Sequence, residues 1–263
     1  STPFGFIYMY IFYDMFSKFI AVYYGKTTTA EEMLQVHLQF VVDYGRYMKG
    51  GTVEEWYMDN GPEFVSNKTS TFCLEMHTRM RFSAPWNPWM NVAETGWRII
   101  LRPLRIMLAA SNVSRRLWPF AVSQIVTVHN SLSTSSESAP EGLVAQAFFA
   151  AFSSTVSSPS PYYLVTGKKY DATYLRTMFC EVEIRIRNAV DLRAREKPDV
   201  VTDTAVHLGI SSKNVGYLVY IIGRSRFTTA SFNDTYFRED KLPRLDRIVG
   251  SYNLNGNDGM LPT

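Results

Sequence analysis

Cysteine is scarce in this chain, and so is any long run free of charge. Cys73 and Cys180 lie far apart with no CxxC pattern and no histidine-rich companion, which excludes a sequence-encoded zinc ribbon and a disulfide framework. A reducing, intracellular setting follows more easily than a secreted one. The uncharged stretches 1–13, 117–136 and 142–167 are too short, or too interrupted by Pro, Ser, Gln, His and Asn, to cross a bilayer, so no transmembrane helix is expected. Residues 1–13 also lack the basic n-region of a signal peptide, and the chain opens with Ser1 inside what reads as ongoing sequence, the pattern of a fragment or of a processed precursor. Charge is thin as well. Only 19% of the residues are charged and the net charge is +3, which excludes the global basic field of a histone-like nucleic-acid binder and leaves such a role to local patches.

What is abundant is apolar and aromatic. The chain has 263 residues, 46% of them hydrophobic, with 17 Phe, 16 Tyr and 5 Trp, too apolar for a disordered chain and long enough for one large domain or two ordinary ones. Phe4–Tyr13 and Phe19–Tyr24 are aromatic and β-branched runs separated by Asp14-Met15-Phe16-Ser17-Lys18, which predicts an antiparallel hairpin. Thr27-Thr28-Thr29 before Glu31-Glu32 supplies N-cap hydroxyls and first-turn acids for a helix reaching about Tyr47. Thr52–Met58 reads as a strand that delivers Asp59-Asn60-Gly61 at its end. A helix over 68–77, a short strand over 80–83, a Pro/Trp loop over 84–91 and a helix from Ala93 follow. Residues 98–130 keep helical periodicity, although Pro103 is expected to kink or interrupt them. The order strand, strand, helix, strand, helix predicts an α/β domain of ribonuclease-H type, a mixed sheet flanked by helices. The Ser/Pro-rich stretch after Ser131, with an apolar island over 143–152, reads as a linker with one short helix, and the strand-like runs beyond it predict a small β-rich C-terminal module. The four histidines, His37, His77, His129 and His207, are isolated and read as surface or partly buried residues.

Two carboxylates stand out. Asp59 sits in YMDNGPEF at the end of a buried strand, and Glu94 sits about 35 residues on in NVAETGWR, at the start of a helix. Acids on neighbouring elements are what a pair of divalent metals needs, since hard oxygen ligands hold Mg²⁺ and leave positions for phosphate and water. Taken singly, an Asp before Asn-Gly is an ordinary turn acid, and a Glu in a first helical turn is ordinary dipole complementation.

In combination these segments resemble the integrase catalytic core of retroelements, most closely that of copia-type retrotransposon polyproteins. The resemblance is carried by FIYMYIFYDMFSKFIAVYY, MDNGPEF, NPWMNVAE, WPFAVSQIVTVHNSL, SPYYLVTGKKYDATYLRTMFC and HLGISSKNVGYLVYIIGRSRFTTASFNDTYFRED, in the family's order across about residues 4–240. It implies a metal-dependent polynucleotidyl transferase that processes retroelement DNA ends and joins them to target DNA, working with Mg²⁺ or Mn²⁺, as a homo-oligomer, in the nucleus and without a membrane. Asp59 and Glu94 match the second and third members of the family's catalytic, metal-binding acids. The first member lies on the strand before the one that carries Asp14, ahead of Ser1, so Asp14 reads as a structural or second-tier acid. The implied layout is a catalytic core over 1–135 with its first strand missing, a linker with a short helix over 136–170, a β-rich module over 171–249 and a flexible tail over 250–263. The chain departs from the family at Pro88-Trp89-Met90-Asn91-Val92-Ala93-Glu94, where the usual glycine and both glutamines are absent. That departure keeps a second reading open, a domesticated, catalytically dead integrase fold serving as a structural subunit that binds protein or RNA.

Charge is unevenly spread in a way that suits DNA. Acids dominate from Glu31 to Glu63, whereas the stretch from Thr95 to Ser136 carries Arg98, Arg102, Arg105, Arg115 and Arg116 and no acid. Helical spacing puts Glu94, Arg98, Arg102 and Arg105 on one face, either a solvated face with an i,i+4 pair or a strip for phosphates. With the resemblance, Arg98, Arg102, Arg105 and Asn60 become the expected DNA-positioning residues. The basic run from Arg185 to Lys197 supports DNA contact and a plain solvated loop equally.

Overall fold

The structure is a computed structural model that describes residues 5–48, 51–83, 92–111, 113–132, 159–185, 202–211 and 215–245. The Pro/Trp loop at 84–91, the apolar island at 143–152, most of the basic run from Arg185 to Lys197, and the tail at 250–263 lie outside the described residues. The chain forms two compact units: an N-terminal one of Phe6–Leu101 with Val126–Tyr170, and a C-terminal one of Arg102–Ile125 with Asp171–Thr263 and Ser1–Gly5.

In the N-terminal unit, β1 (Tyr8–Tyr13) and β2 (Ile20–Gly25) form an antiparallel hairpin with Tyr8 opposite Gly25 and Tyr13 opposite Ile20. The turn between them is built by Asp14, whose Oδ2 accepts from the Ser17 N–H at 2.7 Å and the Ser17 hydroxyl at 2.5 Å, while Lys18 takes a positive φ of 63°. The six residues of β2 are all buried. Helix α1 (Ala30–Tyr44) starts as its sequence predicts: the Thr29 hydroxyl accepts from Glu32 N–H at 3.3 Å, and the Glu32 carboxylate reaches back to the N–H groups of Lys26 (2.7 Å) and Thr27 (2.6 Å).

The inner face of α1 meets β1 in an aromatic cluster. Phe12 stacks on Phe40 with ring centroids 4.5 Å apart and contacts His37 and Trp56 at 5.1 and 5.2 Å. Such contacts stabilise by about 0.5–1.5 kcal/mol each beyond the area they bury. His37 is buried rather than at the surface; its Nδ1 donates to the Met33 carbonyl at 2.9 Å, and burial pushes its pKa down. Trp56 belongs to β3 (Glu55–Met58), which pairs in parallel with β4 (Arg79–Phe82) through the connecting helix α2 (Asn67–Glu75). On the opposite face of β1 lies the start of α3 (Ala93–Ala110): a Cβ placed on Gly96 would sit 3.1 Å from the Ile11 side chain, so glycine sets how near that helix turn can come. Pro103 does not end α3. A proline removes one helical hydrogen bond, and here it does so at an exposed position, a cost the helix absorbs. The break comes later, around Ser111, whose hydroxyl back-bonds to Met107 O at 2.6 Å before α4 (Trp118–Ser131) begins. No helix among the described residues is long and apolar enough to cross a membrane.

The C-terminal unit is the expected β-rich module. A short helix α5 (Pro161–Thr166) precedes it in the chain. Five antiparallel strands, β5 (Glu181–Arg185), β6 (Thr202–Ile210), β7 (Tyr217–Ile221), β8 (Arg226–Ala230) and β9 (Thr235–Arg238), run in the order β8-β7-β6-β5-β9. The ninth strand escapes the sequence reading because Thr235–Arg238 is short and half polar. One face packs on Leu117, Phe120 and Ala121 with Leu104, Met107 and Leu108; the other gathers Val182, Ala205, Tyr217, Val219 and Ile221. His207 is buried between the rings of Tyr217 and Phe237, each 5.3 Å away, and desolvation lowers its pKa to about 4. Gly216 has a φ of 156°, and a Cβ there would lie 2.2 Å from Ala230 O.

Candidate active site

The carboxylates lie along one cleft of the N-terminal unit, about 1620 Å³ in volume, lined by the whole of β1, the whole of β3 and the start of α3. Asp14, Asp59, Asn60, Glu63, Glu94 and Trp97 all face it. Asp59 follows the last residue of β3 and is exposed; its Oδ1 accepts from Gly61 N–H at 3.2 Å, the turn bond its Asn-Gly successor invites. Asn60 donates its side-chain amide to Ser83 O at 2.8 Å, tying the end of β3 to the end of β4. Glu94 is half-exposed and ion-paired with Arg98, whose Nη2 donates to its Oε1 at 3.0 Å. The i,i+4 pair is therefore formed, and Arg98 keeps most of its side chain in solvent. Arg102 and Arg105 are exposed and fall in the C-terminal unit.

Asp14 is committed to its turn, whereas Asp59 stands just past the end of β3 with one turn bond. Phe12 of β1 touches Trp56 of β3. Burial first, then the charges of Glu32 and Glu63, push the Tyr10 phenol up to about 12. Among the described residues no three His, Cys, Asp or Glu side chains come together closely enough to hold a metal ion. The chemistry of the donors suits a divalent cation in part: Asp59 and Glu94 are hard oxygen ligands on one cleft, Asp59 is accessible, and Glu94 would have to exchange Arg98 for the metal.

Residues 1–88 match the integrase core domain. That span holds the hairpin, β3, β4 and Asp59, and it bears out the ribonuclease-H-like, integrase-core reading of this part of the fold. Solved structures give distant likenesses. The bovine immunodeficiency virus (BIV) integrase catalytic core is 16% identical over 60% of this chain and 85% of that one, with a TM-score of 0.43. A simian T-cell lymphotropic virus intasome, solved with the PP2A regulatory subunit B56 gamma, is 14% identical over 87% and 71%, with a TM-score of 0.45. The HTLV-2 integrase catalytic core solved with magnesium is 18% identical over 60% and 83%, with a TM-score of 0.42.

Sequence reasoning named Asp59 and Glu94 and left the cleft itself unseen. Nothing in a linear pattern states that two separate edge strands will face each other. The Asn60 amide bond and the Asp14 turn were signalled only by residue type.

Proposed function

We propose that this chain is an integrase-type polynucleotidyl transferase core of copia-type retrotransposon origin, with Asp59 and Glu94 as its metal-binding, catalytic acids. The observation that supports this best is that both acids line one cleft, with Asp59 inside the segment that matches the integrase core domain. Mg²⁺ or Mn²⁺ bound there supplies charge neutralisation of the scissile phosphate and a more acidic water or 3′-hydroxyl. Asp59 would orient the ion from an exposed strand end. Arg98 would turn from Glu94 to a DNA phosphate, freeing the carboxylate, while Arg102 and Arg105 would hold backbone phosphates. Asn60 would fix the β3–β4 end through its bond to Ser83 and contact DNA with what that amide leaves over. DNA ends and target DNA would be the substrates, a homo-oligomer the working state, and the nucleus the place of action.

The formed Glu94–Arg98 pair favours a second reading. In it the fold is domesticated and serves as a structural subunit that binds protein or RNA. Calorimetric titration with Mn²⁺ distinguishes the two. Binding that is lost in Asp59→Asn and in Glu94→Gln supports the enzyme, and binding unchanged in both overturns it. Arg98→Ala should weaken DNA binding and reduce the slope of log affinity against log salt by about 1.

A further inference from the structure

Of the arginines that helical spacing puts on one face of α3 with Glu94, one differs from the others. The side chains of Arg102 and Arg105 make no hydrogen bond or ion pair among the described residues. Arg98 does: its Nη2 donates to Glu94 Oε1 at 3.0 Å, in the favourable order with the acid on the N-terminal side. That contact is its only side-chain bond among the described residues, and 74% of the side chain is exposed. Glu94, 44% exposed, has no other side-chain partner there. Gly96 lies between the two, and a Cβ on it would sit 3.1 Å from the Ile11 side chain, so this turn of α3 is seated against β1. Any change of partners at Glu94 is therefore a rotation of the Arg98 side chain and not a movement of the helix.

A carboxylate oxygen covered by a cation on a loose tether is poorly placed to take a second cation. A divalent ion approaching Glu94 meets the guanidinium charge within hydrogen-bond distance of its ligand oxygen, and that repulsion opposes coordination. A phosphate approaching α3 finds the same guanidinium engaged. An exposed i,i+4 pair is weak, moving an equilibrium by about twofold, and phosphate accepts from arginine in the same forked way as carboxylate, so a bound duplex can take Arg98 over. We propose that Arg98 gates the site: it withholds Glu94 from the divalent ion until a DNA phosphate draws it away, so DNA and the ion each raise the other's affinity through one shared side chain. By linkage the factor is the same in both directions. The gate rests on the proposed metal-binding role of Glu94 and adds a regulation to it, a site that holds its ion weakly while no DNA is bound.

The test is a double-mutant cycle on the full chain, with binding of a labelled DNA duplex read by fluorescence anisotropy in EDTA. Glu94→Gln removes a negative charge in any background, but only where Arg98 is present does it also release an arginine. It should therefore tighten duplex binding about twofold more in the unaltered chain than in Arg98→Ala. Calorimetric titration with Mn²⁺ in the absence of DNA is the second arm. Arg98→Ala should bind the ion about fivefold tighter than the unaltered chain, and Arg98→Lys, which keeps the charge, should stay close to it. Lys26→Ala, which removes an exposed positive charge elsewhere in the N-terminal unit, should match the unaltered chain. With saturating duplex the advantage of Arg98→Ala should shrink. Equal gains from Glu94→Gln in both backgrounds, or an Mn²⁺ affinity in Arg98→Ala no higher than in Lys26→Ala, overturns the gate. Mn²⁺ binding absent from every protein, with and without duplex, overturns the metal reading of Glu94 itself, and the cycle run in EDTA tells the two failures apart.

Discussion

At the scale of single residues, the acids of this chain divide by what their oxygens already do. Asp14 spends its Oδ2 on the Ser17 N–H and hydroxyl. Asp14→Ala should therefore cost about 1–2 kcal/mol in urea denaturation, the usual cost of a lost cap or turn acceptor, and leave Mn²⁺ binding unchanged. Asp59 makes one long turn bond and is otherwise available. His207 gives a pH prediction. Its folded pKa of about 4 lies below the ordinary 6.5 because burial disfavours the charged ring. The unfolded chain then binds the extra proton between those values, so stability is full above about pH 6.5 and falls as pH drops toward 4. The loss is on the order of 3 kcal/mol, a shift of that size at 1.36 kcal/mol per unit. Glu239, Arg176 and the Thr177 and Gly209 backbone act on the same ring, Glu239 opposing the shift and Arg176 adding to it. Thermal melts of the C-terminal unit's signal between pH 7 and pH 4 check this, and His207→Gln should flatten the slope.

At the scale of elements, most of the N-terminal unit was legible because its signals are local. The Thr29/Glu32 start of α1, the aromatic alternation of the hairpin and the Asn-Gly turn after β3 each depend on a few adjacent residues. What depended on distant partners was not legible. Pro103 looked like a helix breaker, and α3 carries it through at an exposed position. His37 read as a surface or partly buried histidine, and the rings of Phe12 and Trp56 lie against it in the core. Asn130 carried no signal in sequence, yet its amide closes the outer edge of β2. Asn130→Leu should leave the Ile20 N–H and C=O unpaired in a buried place and cost about 1–3 kcal/mol, with faster hydrogen exchange at Ile20 as the local readout.

At the scale of the whole molecule, the near-neutral charge resolves into an acidic cleft and an arginine-bearing helix. The two compact units account for the length, one with most of the segment that matches the integrase core domain and one built on an antiparallel sheet. In the N-terminal unit the strand pairs β1-β2 and β3-β4 are separate sheets, with the carboxylates along the cleft that parts them. The central claim is that Asp59 and Glu94 make this cleft a metal-dependent DNA-joining site. Strand transfer of a labelled oligonucleotide duplex, run with Mn²⁺ and with EDTA on the protein, Asp59→Asn and Glu94→Gln, tests it most directly. The account predicts joined product only for the unaltered chain with Mn²⁺; equal product from all three proteins, or none from any under every condition, would contradict it.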